Sequence, residues 1–541
     1  MSTSGLALWP PPAGTVHLGQ ALRDAAHRNG GRDAIVFPDT RVTYGELYER
    51  AIRRAGSFRA LGLEPGDRVG LLMTNRPEFP ELLIGAAIAG CVAVLINARY
   101  KARELRHVIT DADLRCLITS YDREGEGYDF PTLLREAYPR LAEQLPRLSR
   151  IFVLGQPEAH GFAPFAEFAE LGESGDAGTA EIGLTQRDVR EPLLMLYTSG
   201  TTSAPKGCTL SHVNLVGKGI GFCERFEFGA QDRMWNPVPV FHVGFVMPLA
   251  GAIAAGGTVA TLRWFEPLAA IRQLSAERIT HAFPAFPPLW QGVAEHPEFD
   301  AARLPELRRG LLVGPPDLLR RLQRATPDCP FISCYGMTEG TSVFTAPRPT
   351  EPEEIRLGTE GRPMPGLELR IVDRDSGAAL APYEVGEIQI RGYSVVDGYH
   401  NAPGQTAEAF LAGGWFRTGD LGSVDSEGNL SFRGRTKDML KVGGENVAAL
   451  EVESYLTTHP EIVMAQVIGV PDARLTEVPA AFVELRPGAQ LQPSDVVAFC
   501  RGRIATFKVP RYVIFIEEWP MSATKIQKGA LSALPLGPRL M

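Results

Sequence analysis

The sequence has no CxxC pair, no internal repeat, no low-complexity tract and no surplus of basic charge. Its seven cysteines, Cys91, Cys116, Cys208, Cys223, Cys329, Cys334 and Cys500, are scattered and odd in number. That argues against a disulfide framework and against structural zinc, and fits a reducing cytoplasm. Lys and Arg number 55 against 63 Asp and Glu, a net charge of −8, so a general nucleic-acid binder is not expected. Anionic ligands would have to be held by local basic groups. Residues 1–18 lack a basic segment followed by an apolar core, so no signal peptide is expected. Val243 to Leu262 is uncharged and long enough to be weighed as a membrane span. Pro248 and the pair Gly256-Gly257 interrupt it, and it reads better as a buried helix followed by a buried strand. Leu82 to Ile96 is too short and broken by glycine. No transmembrane segment is expected.

What is present is the make-up of a globular α/β enzyme. At 541 residues the chain exceeds one ordinary domain, so two or more units are expected. Thr43 to Leu63 places Tyr44, Leu47, Tyr48, Ala51, Ile52, Ala55, Phe58 and Leu61 on one helical face. A turn at Pro65-Gly66-Asp67 precedes a short apolar strand from Val69 to Met73. Helix Pro80 to Ala89 and strand Val92 to Ile96 repeat the pattern, as in a parallel sheet covered by helices. Asp122 to Gln186 is more polar and reads as an insertion or surface region. The alternation resumes from Leu210 to Leu312 as a second α/β layer. Residues 351–434, rich in Gly, Pro and short alternating strands, read as a small β unit. A compact α/β segment closes the chain.

The most informative stretch is Tyr197-Thr198-Ser199-Gly200-Thr201-Thr202-Ser203-Ala204-Pro205-Lys206-Gly207. It follows Leu193 to Leu196, which reads as a buried strand. Exposed backbone N–H groups, small hydroxyls and one lysine in a single turn are what a polyphosphate needs. It is not a Walker A loop, because Gly207 rather than Ser or Thr follows Lys206.

This loop resembles the phosphate loop of the adenylate-forming superfamily, which includes acyl-CoA synthetases, adenylation domains and luciferases. Ser203 stands where that family usually has Gly. Further motifs resemble the family in order along nearly the whole chain. Pro239-Val240-Phe241-His242-Val243-Gly244 resembles the segment lining the acyl pocket. The resemblance implies a place for His242 near the reacting carboxylate, with Phe241, Val243 and Phe245 as pocket walls. Without the resemblance, a lone His beside apolar residues reads more readily as a packed core histidine. Phe283, Phe286 and Trp290 add to the expectation of an apolar medium-chain, long-chain or ring-bearing acid. Val313-Gly314-Pro315-Pro316 resembles the adenine-side strand end, with Val313 in place of a glycine and able to reshape the acyl pocket.

Tyr335-Gly336-Met337-Thr338-Glu339 is the strongest match after the loop. For these positions the family implies that Tyr335 stacks on adenine, Gly336 lies beside it, Thr338 bonds the α-phosphate and Glu339 holds Mg²⁺. Asp420, in Arg417-Thr418-Gly419-Asp420, and Arg435 are implied as ribose contacts. Lys437 resembles the hinge residue, and Lys441, Gly443 and Gly444 lie where related ligases meet the CoA channel. Lys525 is implied as the catalytic lysine, although Thr524 replaces the usual preceding Gly, and Lys528 is its rival.

Taken together, the resemblance implies two α/β subdomains and a β-barrel-like subdomain over residues 1–435, then a mobile α+β C-terminal domain over 436–541. It implies an ATP-dependent acyl-CoA synthetase using Mg²⁺ and coenzyme A, with a homodimer left open. The rivals are an acyl-AMP ligase loading a carrier protein, a luciferase-type enzyme, and a nucleotide-binding protein with impaired catalysis.

Overall fold

A computed structural model describes residues 10–121, 128–155, 161–173, 187–198, 205–442, 445–522 and 525–540. Two seven-stranded sheets form its larger part. The first runs Ala163–Pro164, Arg150–Leu154, Cys116–Ser120, Arg68–Leu72, Val92–Leu95, Pro192–Thr198, Lys206–Ser211. Its strands are parallel except the last pair, which is antiparallel. Val92–Leu95 and Cys116–Ser120 are buried at every position, which explains their unbroken apolar or small-residue runs.

Helix Tyr44–Ala60 starts on a capping box, in which Thr43 and Glu46 satisfy each other's backbone N–H groups. It buries Tyr44, Leu47, Ala51, Ala55 and Phe58 of the expected face, while Tyr48, Ile52 and Leu61 are half-buried against the core. Its neighbour Glu78–Ala89 is buried from Phe79 to Ala89, with the buried Glu81 paired to Arg54 at 2.7 Å. The two helices touch at Gly85, where a Cβ would lie 2.5 Å from the Arg54 Cβ.

The second sheet runs Phe331–Ile332, Arg309–Leu312, His281–Ala285, Arg233–Trp235, Thr258–Ala260, Asp33–Val36, Arg41–Thr43. Asp33–Val36 comes from the start of the chain yet pairs in parallel with Thr258–Ala260, Ile35 opposite Val259. The N-terminal region is thereby locked into the second layer. Val243–Ala255 is a helix containing Pro248, followed by the strand Thr258–Ala260, as its interrupted apolar run implies. Among the described residues no helix is long and apolar enough to cross a membrane.

The polar region after Asp122 corrects one expectation. Arg150–Leu154 and Ala163–Pro164 complete the first sheet instead of forming a surface insertion. The strand's apolar run, Ile151-Phe152-Val153-Leu154, is buried, and its polar flanks had masked it.

Between residues 335 and 435 the strands pair antiparallel. A three-stranded sheet, Tyr335–Met337, Ser342–Ala346, Arg362–Pro363, is followed by a four-stranded one, Leu367–Val372, Gly386–Gly392, Phe416–Val424, Leu430–Arg435. The C-terminal strands form a sheet around Met439–Val442, Ile462–Asp472 and Thr476–Leu485, with a short hairpin, Met521–Ser522 and Lys525–Ile526. They enclose their own apolar clusters, one around Val452, Leu456, Val467 and Val483, the other around Val478, Phe482 and Leu531.

Candidate active site

A cavity of about 860 Å³ gathers residues from separate parts of the chain. Thr198 and Lys206 enter it from the two strands of one antiparallel hairpin, where they are register partners. That pairing brings the ends of the predicted phosphate loop together. Ser199, Gly200, Thr201 and Thr202 lie outside the described residues, as do Ser203, Gly443, Gly444 and Thr524.

Thr338 and Glu339 sit on the 3₁₀ turn Thr338–Gly340 and line the same cavity. The turn is followed by Thr341 at φ 59° and Ser342 at φ 69°, two consecutive non-glycine residues in the left-handed region. Such residues cost of order 1 kcal/mol each and persist only where surroundings fix them. Here the Thr341 N–H donates to the Thr338 carbonyl, and its hydroxyl donates to the Ser394 carbonyl at 2.7 Å. Glu339 is nearly buried and accepts a hydrogen bond from the Tyr399 hydroxyl at 3.0 Å. The Lys206 ammonium lies 4.8 Å from the centre of the Tyr399 ring, within cation–π range.

His242 caps helix Val243–Ala255, its Nδ1 accepting the Gly244 N–H at 3.0 Å. With Nδ1 an acceptor, the neutral ring carries its proton on Nε2. Phe241 and Val243 flank it on the cavity wall. Phe286 packs edge-on against His242, the ring centres 5.6 Å apart. Other residues of the expected acyl wall are elsewhere. Phe245 is fully buried and packs edge-on against Phe79, because helical periodicity turns it into the core. Phe283 packs on Phe222, and Trp290 packs among Trp235, Phe299 and Phe331. Val313 is 42% exposed and does not line the cavity.

Asp420 and Arg435 are register partners on neighbouring strands and line the cavity together. Asp420 Oδ1 is 3.4 Å from Arg435 Nε, and its Oδ2 accepts the Tyr335 hydroxyl at 2.8 Å. Burial, then the Asp420 charge, push the Tyr335 phenol well above its ordinary pKa, so it stays a donor. Tyr335 itself is buried, stacks on Phe432 at 5.8 Å, and is not a wall of this cavity. It braces Asp420 from behind. Gly336 is forced by packing: a Cβ there would lie 1.8 Å from the Ser342 carbonyl oxygen. Gly314, Pro315 and Pro316 form the turn into helix Pro316–Gln323 and lie outside the cavity wall.

Lys437 falls in the 3₁₀ turn Thr436–Asp438 and Lys525 in the strand Lys525–Ile526, each described for its backbone. Lys441 is exposed on Met439–Val442, with its N–H donated to Glu477 Oε2 at 2.7 Å. Lys528, the rival catalytic lysine, is committed elsewhere: its Nζ is 2.5 Å from the nearly buried Glu453 and 3.7 Å from Asp438.

Sequence reasoning missed Tyr399 and the pair Arg417–Glu387, which also line the cavity. The one signal for Tyr399 was an aromatic placed between Gly398 and the polar pair His400-Asn401. Among the described residues no cluster of three or more His, Cys, Asp or Glu forms a metal cage. Mg²⁺ arriving with a polyphosphate needs only one or two carboxylates, and Glu339 fits that demand.

Known proteins resemble the chain over nearly its full length. The family profile for AMP-binding enzymes matches residues 22–400, and that for the AMP-binding enzyme C-terminal domain matches 451–525. A putative acyl-CoA synthetase, YngI of Bacillus subtilis (strain 168), is 32% identical over 530 residues, spanning 95% of this chain and 96% of that protein. The human mitochondrial medium-chain acyl-CoA ligase ACSF2 is 30% identical, spanning 95% and 86%. Among solved structures, ATP-bound MatB from Rhodopseudomonas palustris superposes with a TM-score of 0.83 at 27% identity, covering 95% of this chain and 98% of that one. The anthranilate CoA ligase AuaEII bound to anthranoyl-AMP superposes with a TM-score of 0.84 at 25% identity, covering 98% of each.

Proposed function

The chain belongs to the AMP-binding enzyme family, and on that premise we propose that it is an AMP-forming acyl-CoA synthetase acting on an apolar carboxylic acid. The observation that carries this reading is a single cavity holding a phosphate-type end, Lys206, Thr338 and Glu339, together with a ribose-type pair, Asp420 and Arg435. The acyl-CoA ligases that match nearly the whole chain support CoA as the acceptor over a carrier protein.

A carboxylate is a poor electrophile because its oxygens leave badly. Attack of the acid on the α-phosphate of ATP yields an acyl-adenylate and pyrophosphate. Charge develops on the phosphoryl oxygens, so fixed donors and cations carry the catalysis. Lys206, Thr198 and the residues between them hold the departing pyrophosphate. Thr338 donates to the α-phosphate, and Glu339 holds Mg²⁺, which supplies charge neutralisation when bound. Asp420 accepts the ribose hydroxyls, oriented by Tyr335 and Arg435. Lys525 offsets the charge between carboxylate and phosphate.

The C-terminal domain, 436–541, then turns about Lys437 so that CoA thiolate displaces AMP, with Lys441, Gly443 and Gly444 on the thiol side. Phe241, Val243, Leu95 and Leu196 give the cavity apolar wall, which favours a medium-chain or ring-bearing acid over acetate. Seven free, buried cysteines favour a cytoplasmic setting.

The test is pyrophosphate release from ATP across a panel of carboxylic acids, with and without CoA. One acid class should drive release and yield its CoA thioester. Adenylate that accumulates unchanged by CoA would shift the acceptor to a carrier protein.

A further inference from the structure

Tyr399 touches two groups of opposite charge at the phosphate end of the cavity. Its hydroxyl donates to Glu339 Oε1 at 3.0 Å, and its ring lies 4.8 Å from the Lys206 ammonium. Several backbone contacts station it there. Tyr399 bridges Cys208, its N–H donates to Thr406 Oγ1 at 3.0 Å, and the His400 N–H donates to the Gly207 carbonyl at 2.8 Å. Asn401 Nδ2 donates to the Asp111 carbonyl at 3.1 Å, while the Asp111 carboxylate accepts the Tyr197 hydroxyl at 2.7 Å. Residues 399–401 are therefore tied to both strands of the hairpin that presents Thr198 and Lys206.

We propose that Tyr399 is a positioning residue for the reaction. It holds one oxygen of Glu339 through its phenol, orienting the carboxylate toward the divalent cation that accompanies ATP, and seats the Lys206 ammonium on its ring. Its two contacts serve different parts of the ligand. The hydroxyl acts through Glu339 on the metal, and the ring acts through Lys206 on the phosphates. A nearly buried carboxylate without such a donor would adopt alternative rotamers and lose a charge-assisted hydrogen bond.

The proposal rests on the adenylate-forming reading. Its test separates the two contacts by measuring ATP binding calorimetrically, without acid or CoA, in Mg²⁺ and in EDTA. Tyr399→Phe keeps the ring and removes the hydroxyl. It should leave ATP affinity in EDTA within about twofold of wild type and lower the gain conferred by Mg²⁺ about tenfold. Tyr399→Leu removes both contacts and should weaken binding in EDTA as well. In a double-mutant cycle, adding Tyr399→Phe to Glu339→Gln should change the Mg²⁺ gain no further.

A Tyr399→Phe protein with the full Mg²⁺ gain would overturn the proposal. So would an effect of Tyr399→Phe that adds in full to that of Glu339→Gln. A wild-type protein that binds no ATP would overturn it together with the reading beneath it, and only that result bears on the latter.

Discussion

Replacing Lys528 by Met removes the cation that lies 2.5 Å from Glu453 Oε1. Glu453 is nearly buried, and what then remains to it among its hydrogen bonds is the Val467 N–H at 2.7 Å. Breaking a buried ion pair from one side costs about 3–5 kcal/mol. The Lys528 side chain is 21% exposed, so the pair is partly screened and the cost falls to about 2–3 kcal/mol. For a unit of roughly 100 residues that lowers the melting temperature by on the order of 10 °C.

The cost depends on pH. Burial raises the Glu453 pKa, opposed by Lys528, so the neutral acid is the better-tolerated buried form. A raised carboxyl favours the fold at low pH and disfavours it as pH rises through its range. The Lys528→Met deficit should therefore be largest at about pH 8 and shrink toward about pH 5. Calorimetry of the full chain measures the transition, and hydrogen exchange at the Val467 amide reports the local loss. Adding Glu453→Gln should recover most of the stability. An unchanged Val467 amide and a C-terminal transition within about 2 °C of wild type would refute the reasoning. Lys525→Ala should behave oppositely, abolishing adenylate formation with little change in melting.

Other substitutions probe the remaining parts of the site. Asp420→Ala should raise the KM for ATP by at least about tenfold, read from initial rates, because it removes a ribose acceptor. Tyr335→Phe should act through Asp420 and cost about 1 kcal/mol of stability, read by urea unfolding. Gly336→Ala should prevent accumulation of folded protein, since its Cβ meets a backbone carbonyl oxygen and not a flexible side chain. Solubility on expression checks it. Burial pushes Glu360 up to about 7, against the Phe432 N–H that it accepts at 2.7 Å. Its contribution to stability is complete below the ordinary glutamate range and lost as pH rises through about 7. Glu360→Gln should remove that slope from a series of melting curves.

The sequence reveals features with a local physical code more readily than those made by packing. Tyr44, Leu47, Ala51, Ala55 and Phe58 repeat at helical spacing, and the helix buries that face. Thr338, Glu339, Asp420, Arg435 and Lys206 stand in distinctive local patterns and meet in one cavity. Phe245 and Trp290 look the same in sequence whether they line a pocket or fill a core, and only helix rotation decides between these. Tyr399 and Arg417 escape notice because their partners, Glu339 and Glu387, lie 60 and 30 positions away in the chain. Arg150–Leu154 was obscured because a short apolar strand between polar flanks offers little periodicity to read.

The central claim is attack of a carboxylate oxygen on the α-phosphate of ATP. Turnover of an acid labelled with oxygen-18 in its carboxylate tests it directly, by mass spectrometry of the released nucleotide. The account predicts one labelled oxygen in AMP for each thioester formed. Unlabelled AMP, or label recovered in inorganic phosphate alongside ADP, would contradict it.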